Sequence, residues 1–318
     1  MYDVTATGEL LIDFTRNGLS EQNNRIYEAN PGGAPCNVLA MLGKLGHKTA
    51  FIGKVGEDEL GKLLKNTITE QKIDAAGLIF DPNAKTTLAF VDNDETGDRS
   101  FSFYRKPGAD MMLKEDEVNY ELIDNCRIFH FGSLSMTDEP VRSATYAMID
   151  YAKKKNKIIS FDPNLRPPLW ESEELAAKQI WYGIEQCDIL KIADNEIEWL
   201  TGTDDYDKGI EIIRQRTHAK LINVTLGPNG SIAYYGDHKV FMEPYLNENT
   251  IETTGAGDTF GACALHAVLK NGLDNMTEED LKEMLQFANA AASLVTTKKG
   301  ALRVMPEEKE IKELIDKN

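Results

Sequence analysis

The sequence predicts an α/β fold in which helices cover both faces of a mostly parallel β-sheet. Short apolar runs, typical of buried strands, alternate with longer segments of helical periodicity along most of the 318 residues. This alternation is typical of parallel sheets, because each crossover helix packs back on the sheet. Hydrophobic residues make up 42% of the chain and charged residues 27%, so it can bury a sizeable core in one or two domains.

The predicted elements follow one another in a regular order. Strands of the parallel sheet are predicted at Val4–Gly8, Thr49–Val55, Ile128–Phe131, Lys157–Phe161, Ile189–Lys191 and Leu221–Thr225. Helices are predicted between them at Cys36–Leu45, Glu57–Gln71, Glu139–Lys155, Ser172–Gln186 and Asp207–His218. The alternation then ends, and the sequence predicts a hairpin followed by helices: Ser231–Tyr235 with Lys239–Glu243, then Gly257–Lys270, Glu278–Thr296 and Glu307–Asp316.

Two stretches depart from this alternation and resemble antiparallel strand pairs. Residues 11–30 consist of two extended segments joined by a polar connection, and residues 86–105 have a predicted turn at Asp92–Asp98. Antiparallel pairs do not easily continue a buried parallel core, so a separate small sheet is predicted. Over a ligand pocket, such a sheet would be a lid that excludes water. Surface hairpins without a function are the alternative.

These stretches also suggest how the chain is divided and how it assembles. We expect an α/β core of residues 1–10, 31–85 and 109–318, and a lid of residues 11–30 and 86–108. An exposed sheet with free edges tends to pair with a second copy of itself. A homodimer that shares its lid sheets is therefore expected.

Charge and cysteine content narrow the class of protein. The formal net charge is −17, which argues against a partner that is a nucleic acid or an acidic membrane. The four cysteines are scattered without a CxxC pair, which suggests reduced thiols in a reducing compartment. No run of 18 apolar residues and no basic leader are found. We expect a cytoplasmic protein.

The segment Thr253–Asp258 (TTGAGD) has the composition of an anion-binding turn. Gly255 and Gly257 allow backbone N–H groups to converge on an anion, and the helix that follows directs its positive end at the same place. Asp258, in the first turn, is positioned to accept a hydroxyl proton. The alternative is a glycine-rich loop in which Asp258 only caps the helix. Both interpretations remain open from these residues alone.

A second segment, Pro31–Ala40 (PGGAPCNVLA), completes a family pattern. It resembles the N-terminal signature of the ribokinase/PfkB sugar kinases, and Glu252–Phe260 resembles their C-terminal signature. The resemblance implies a Rossmann-like three-layer core with a β lid, ATP and Mg²⁺ as cofactors, and phosphorylation of a primary sugar hydroxyl. It also implies that Asp258 is the general base and that the amides of Gly255, Ala256 and Gly257 form an anion hole.

The resemblance assigns further residues to the two substrates. It places Asp13, Gly32, Gly33 and Asn37 at the sugar, and Thr225, Gly227, Gly230, Asn195 and Asn289 at ATP. Asn195 and Glu198 match an NxxE element that organises magnesium and phosphates, and on one helix both side chains could serve a hydrated Mg²⁺. A turn-capping role for Asp13 and a solvated helix face for Asn195 and Glu198 are the structural alternatives.

Within the family, three segments resemble fructokinases: Gly8–Phe14, Phe103–Met111 and Phe161–Trp170. Arg105 and Arg166, in the second and third, are expected to bridge the sugar and the phosphates, since guanidinium groups suit oxyanions. A role for Arg166 that only holds a proline-rich loop is the alternative.

Several alternatives to a fructokinase stay open. The same family includes 2-keto-3-deoxygluconate kinase, ribokinase and nucleoside kinase, and a non-catalytic sugar-binding module is the alternative from another class. A nicotinamide dehydrogenase is disfavoured by the missing N-terminal fingerprint. Family members commonly have Asp where this chain has Glu252, beside a monovalent-cation site. Backbone carbonyls could still bind K⁺ there, but the longer side chain makes activation by K⁺ an open question.

Overall fold

In the computed structural model, which describes residues 1–93 and 99–317, the chain forms two separate β-sheets together with helices. Helices cover both faces of the larger sheet, which confirms the predicted three-layer α/β fold. Residues 94–98, within the predicted turn Asp92–Asp98, lie outside the described residues.

Thirteen strands are found in the described part of the chain, and every predicted strand is present. In chain order they are β1 (Tyr2–Thr7), β2 (Leu11–Leu19), β3 (Arg25–Gly32), β4 (Thr49–Gly56), β5 (Ile73–Asp81), β6 (Leu88–Asn93), β7 (Arg99–Tyr104), β8 (Cys126–Gly132), β9 (Ile158–Asp162), β10 (Ile189–Ala193), β11 (Leu221–Thr225), β12 (Ser231–Tyr235) and β13 (His238–Met242). Strand β5 was not predicted, because small and polar residues occupy its first half.

The predicted helices are also present, with ends shifted by a few residues. Across the described residues the helices are α1 (Ala34–Lys44), α2 (Glu59–Glu70), α3 (Glu121–Asp124), α4 (Val141–Lys154), α5 (Glu173–Gln186), α6 (Asp194–Thr201), α7 (Tyr206–Arg214), α8 (Ala256–Asn271), α9 (Glu278–Val295) and α10 (Glu308–Ile315). None of them, in residues 1–93 and 99–317, is long and apolar enough to cross a membrane.

The larger sheet positions the helices in two layers. Its order is β13-β12-β11-β10-β9-β8-β1-β4-β5, in which the strands from β11 to β5 are parallel and β12 and β13 are antiparallel. Phe51 of β4 belongs to the core cluster that includes residues of α1, α2, α8, α9 and α10, whereas its neighbours Ala50 and Ile52 belong to the cluster that includes residues of α3 to α7. Full burial of a large apolar side chain contributes about 1.5–3 kcal/mol, so both faces stabilise the sheet.

The smaller sheet is formed by the two stretches that departed from the βα pattern. Its order is β3-β2-β6-β7, with the antiparallel pairs β2–β3 and β6–β7 joined by a parallel pairing of β2 with β6. Aromatic residues cluster on one face of this sheet. Phe14 stacks on Phe90 with ring centroids 4.9 Å apart, and Tyr27 and Tyr104 meet Phe90 edge-on.

The carboxyl ends of the parallel strands lie at one edge of the larger sheet. Strands β9, β10 and β11 end there at Asp162, Ala193 and Thr225. In open α/β sheets, ligands bind in the crevice beyond these ends. The fold therefore points to this edge as the place of a functional site.

Candidate active site

A cavity of about 610 Å³ lies between the carboxyl edge of the larger sheet and the smaller sheet. Its volume is typical of small-molecule sites, which range over roughly 300–1,000 Å³. Alternate residues of β2 line it, because they share one face of the strand. The smaller sheet contributes Leu11, Asp13, Thr15, Asn30, Val91 and Phe103, and the core contributes Asn164, Arg166, Lys191, Asn195, Thr225 and the 252–258 segment, among others.

The Gly-Ala-Gly-Asp turn begins helix α8 at the cavity floor. Gly255 precedes the helix in the left-handed conformation, with φ of 78°, and a Cβ there would lie 2.6 Å from the Cβ of Ala301. The N–H groups of a first helical turn have no partner within the helix, so those of Gly257 and Asp258 are available to an anion, whereas that of Ala256 donates to the carbonyl of Thr253 at 3.2 Å. Gly255, rather than Asp258, is the N-cap residue, and no side chain caps α8. The alternative that Asp258 merely caps the helix is therefore wrong.

Asp258 is a buried carboxylate that accepts a hydrogen bond from one neutral donor and feels the charge of two cations. Its side chain is on the cavity wall, and its Oδ2 accepts a hydrogen bond of 2.8 Å from Nδ2 of Asn37. Burial raises the pKa of Asp258, whereas the Asn37 bond and the charges of Lys191 and Arg166 oppose that rise. The carboxylate is thus shielded from bulk water and has an increased affinity for a proton.

Most of the residues predicted for the sugar line the same cavity as Asp258. Burial, with repulsion by Glu252 and Asp258, raises the pKa of Asp13 to about 7, although Arg166 opposes the rise. A Cβ on Gly32 would lie 2.6 Å from Oδ2 of Asp13, so glycine leaves room for this carboxylate. Gly33, Asn37 and Arg166 line the cavity, whereas Gly32 lies behind the wall that they form.

The residues predicted for ATP also line this cavity. Thr225, Gly227, Gly230, Asn195 and Asn289 are all on the cavity surface. The amide of Asn289 is committed internally, because its Oδ1 accepts from Ser231 and its Nδ2 donates to the carbonyl of Glu243. Asn289 therefore joins α9 to the β12–β13 hairpin and presents its surface, not a free amide, to the cavity.

The structure contradicts the expected position of Glu198. This residue is exposed and does not line the cavity, whereas Glu196 is buried and accepts hydrogen bonds from the backbone of Leu165 and Ala193. Helix α6 begins at Asp194, and residues two apart on a helix point to nearly opposite sides. The helix start therefore turns Glu196, and not Glu198, toward the core.

Arg105 is also not where the sequence pattern suggested. Its side chain is 3% exposed and does not line the cavity. The guanidinium donates to Oδ2 of Asp110 at 2.7 Å, to Oγ1 of Thr137 at 2.9 Å and to the carbonyl of Leu134 at 2.8 Å. All three sides of the guanidinium thus bind protein, so the expected contact with sugar or phosphate is corrected to a positioning role behind Leu134, which lines the cavity.

Three charged residues at the site were not identified from the sequence. Burial raises the pKa of Glu9, on the cavity wall, to about 7. Asp162, the last residue of β9, and Lys191, in the middle of β10, form a buried ion pair, with Nζ 3.2 Å from Oδ2. A lysine within the otherwise apolar strand Ile189–Ala193 is the signal that could have indicated this pair.

Comparison with known proteins agrees with this geometry. A family model described as pfkB family carbohydrate kinase matches residues 1–308. A probable fructokinase-2 from Arabidopsis thaliana is 41% identical over 305 residues, which cover 95% of this chain and 92% of that protein. The crystal structure of a fructokinase from Xylella fastidiosa with bound ATP matches with a TM-score of 0.90 at 29% identity, covering 100% of this chain and 99% of that one.

A second solved structure with the fold of this chain contains a bound sugar. It is a double mutant of a fructokinase from Vibrio cholerae O395, in a form bound to fructose, ADP and potassium ion. The match has a TM-score of 0.89 at 30% identity and covers 99% of this chain and 98% of that one.

The positioning role of Arg105 leads to a stability prediction. Replacing Arg105 with Met leaves the buried Asp110 without its ion-pair partner, so the free energy of unfolding is expected to fall by about 3–5 kcal/mol. Arg303→Met removes an exposed ion pair with Glu70 and is expected to cost less than about 1 kcal/mol. Denaturant unfolding of both variants measures this, and equal losses would contradict the assignment.

Proposed function

This chain belongs to the pfkB family of carbohydrate kinases, and we propose that it is an ATP-dependent fructokinase. The reaction is transfer of the γ-phosphate of ATP to a primary hydroxyl of fructose. The observation that carries the proposal is the buried carboxylate of Asp258 at the amino end of α8, on the floor of a cavity formed by both sheets. The fructokinase names of the compared proteins support fructose as the sugar.

In this mechanism Asp258 is the general base. It accepts the proton of the sugar hydroxyl as the hydroxyl oxygen forms a bond to the γ-phosphorus. The bond from phosphorus to the bridging oxygen breaks, and its electrons leave with ADP. The raised pKa favours proton uptake by the carboxylate, while the Asn37 bond fixes its orientation. The backbone amides of Gly255 and Gly257 are proposed to hold the phosphoryl oxygens, whereas the amide of Ala256 is bonded to the carbonyl of Thr253.

The sugar is proposed to bind at the smaller sheet. Asp13 accepts hydrogen bonds from two hydroxyls, the backbone at Gly33 allows close approach of the ring, and Asn37 contacts a further hydroxyl. Gly32 contributes indirectly, by leaving room for the Asp13 carboxylate. Arg166 lines the cavity together with Asp13 and Asp258, and its charge opposes the rise in the pKa of both carboxyl groups, so it is proposed to bridge the sugar and the phosphates.

ATP is proposed to bind along the wall formed by Thr225, Gly227, Gly230 and Asn289, with Asn195 near its phosphates. Mg²⁺ is proposed to arrive with ATP. The described residues hold no group of three or more metal-binding side chains, which fits an ion that takes most of its ligands from phosphate and water. When bound, Mg²⁺ neutralises phosphate charge. Asp194 and Asn195 line this wall and would face it, whereas Glu198 is exposed and both oxygens of Glu196 are bonded to backbone N–H groups.

A monovalent cation is proposed as an activator, in spite of Glu252. The segments before the turn and after α9 are joined, because Oε1 of Glu252 accepts from the backbone of Gly300 at 2.7 Å and Ile251 donates to the carbonyl of Thr296 at 2.8 Å. Carbonyl groups of these segments are the proposed ligands for K⁺.

The four cysteines are buried and form no disulfide, which supports the proposed cytoplasmic location.

The smaller sheet is proposed to be a lid and a dimer interface. One face lines the cavity, and the opposite face carries the aromatic cluster around Phe90. Tyr104 is 65% exposed beside this cluster. Since a contiguous apolar face of this kind favours association, a homodimer that packs these faces together is proposed.

The assembly can be tested on the exposed aromatic residue. Tyr104→Arg places a charge on the aromatic face and is expected to shift sedimentation from dimer to monomer, because a buried unpaired charge is costly. Phe241→Arg, on the edge strand β13, changes an apolar residue of 48% exposure and is expected to leave the dimer intact. A wild-type monomer would disprove the proposed interface.

The substrate is tested by a coupled ADP-release assay over fructose, ribose, 2-keto-3-deoxygluconate, mannose and adenosine. Fructose is expected to give the highest kcat/KM, with greater turnover in K⁺ than in Na⁺ buffer. A higher kcat/KM for another acceptor would make that acceptor the preferred substrate, and the protein would be a different kinase of the same family. Absence of turnover with every acceptor would favour the non-catalytic sugar-binding module.

The role of Asp258 is tested by Asp258→Asn. The variant is expected to fold normally and to lose roughly 10²–10⁴-fold in kcat, because the amide cannot take the hydroxyl proton. Asp237→Asn, in the exposed turn between β12 and β13, is the matched control with unchanged kcat. Near-normal kcat for Asp258→Asn would rule out this base.

The pH dependence of kcat/KM gives a separate test. Activity needs the ionised carboxylate, so kcat/KM is expected to fall as the pH drops through the pKa of Asp258. Asn37→Ala removes a donor that stabilises the ionised form, so the acidic limb is expected to move to higher pH. Asn30→Ala alters another cavity residue, which bonds to Thr15 instead, and is expected to leave the limb in place. Equal shifts in both variants would refute the assignment.

A further inference from the structure

The cavity contains few cations for a site that receives a polyphosphate. Among the described residues that line it, the carboxylates are Glu9, Asp13, Asp194, Glu252 and Asp258, and the cations are Arg166 and Lys191. Arg166 is coupled to both Asp13 and Asp258 and is proposed to bridge the sugar and the phosphates. Lys191 is the second cation on this wall, and no role in the reaction has yet been given to it.

Lys191 lies directly beneath the anion-binding turn. An ideal Cβ on Gly257 would be 3.0 Å from Nζ of Lys191, so the missing side chain leaves the ammonium in contact with the turn. The two oxygens of Asp162 hold Nζ from below, at 3.2 and 3.3 Å. An ammonium has three donors, so donors remain for a ligand in the cavity that Lys191 lines.

The surroundings of Lys191 keep it charged although it is buried. Burial alone would lower its pKa, but the carboxylates of Asp162, Glu196 and Asp258 outweigh burial and raise it. Glu196 is itself fixed by the backbone of Leu165 and Ala193. The cluster therefore contains a fixed positive charge that needs no reorganisation when phosphate binds.

We propose that Lys191 is a catalytic residue whose ammonium donates hydrogen bonds to the non-bridging oxygens of the phosphoryl group in transfer. Lys191 keeps its protons throughout, while the hydroxyl proton goes to Asp258 and the bridging electrons leave with ADP. Asp162 is the positioning residue that orients the ammonium. The inference rests on the proposed phosphoryl transfer but not on which sugar accepts the group.

A structural role is the competing explanation, since Lys191 also neutralises buried carboxylates. The two roles predict different effects on the affinities for ATP and ADP. A contact with the γ-phosphate strengthens binding of an ATP analogue and not of ADP, whereas a merely structural lysine affects both alike. The measurement is therefore calorimetric titration with Mg²⁺ and either AMP-PNP or ADP, without sugar.

Lys191→Met is expected to weaken AMP-PNP binding by about tenfold or more and ADP binding by less than about threefold. With the preferred sugar, kcat is expected to fall by about 10²–10³-fold and the sugar KM to change little. The double variant Lys191→Met with Asp162→Asn removes one charge of each sign, so it guards against unfolding by an unpaired Asp162. It is expected to show the same selective loss.

Lys54→Met is the matched control. Lys54 is 3% exposed and ion-paired to Asp81 and Glu117, but it does not line the cavity, so its replacement is expected to lower stability and leave both nucleotide affinities unchanged. Equal weakening of AMP-PNP and ADP in the folded double variant, or no weakening, overturns the role of Lys191. A wild-type protein that binds neither nucleotide overturns this inference and the proposed function together.

Discussion

Burial of the Asp258 carboxylate is the constraint on which the rest of the site depends. A charge inside a protein is costly unless donors and opposite charges surround it. The bond from Asn37 joins α1 to α8 across 221 residues of sequence, and Lys191 and Arg166 supply the compensating charge. The two helices and the strand ends must therefore be assembled correctly before this carboxylate is tolerated.

The same constraint explains the shape of the site. The parallel strands deliver Asp162 and Lys191 to one edge, and the glycines at 255 and 257 allow the helix start to close over them. The smaller sheet then covers the opposite side with Asp13 and Phe103. A cavity covered in this way lowers the local dielectric constant, which strengthens every charge interaction in it. Transfer of phosphate to a sugar rather than to water needs such a covered site.

Local patterns were enough to predict most of the fold and part of the site. Apolar runs located every core strand except β5, whose small residues hide its period, and motif matches brought Asp258, Asp13 and Asn37 to one cavity. The predictions that failed concern the direction in which a side chain points in the folded protein. The residue at which α6 starts decides that Glu196, and not Glu198, points inward. Arg105 is withdrawn from the cavity because it pairs with Asp110, and no local sequence pattern reveals that Asp110 is buried.

The central claim is that sugar and phosphate meet between Asp258 and the turn of α8. A crystal structure with AMP-PNP and fructose tests this most directly. The account predicts that a primary hydroxyl of fructose lies within hydrogen-bond distance of Asp258, in line with the γ-phosphate, and that Nζ of Lys191 contacts a γ-phosphate oxygen. A nucleotide whose γ-phosphate lies away from the 255–258 turn, or a sugar that does not reach Asp258, would contradict it.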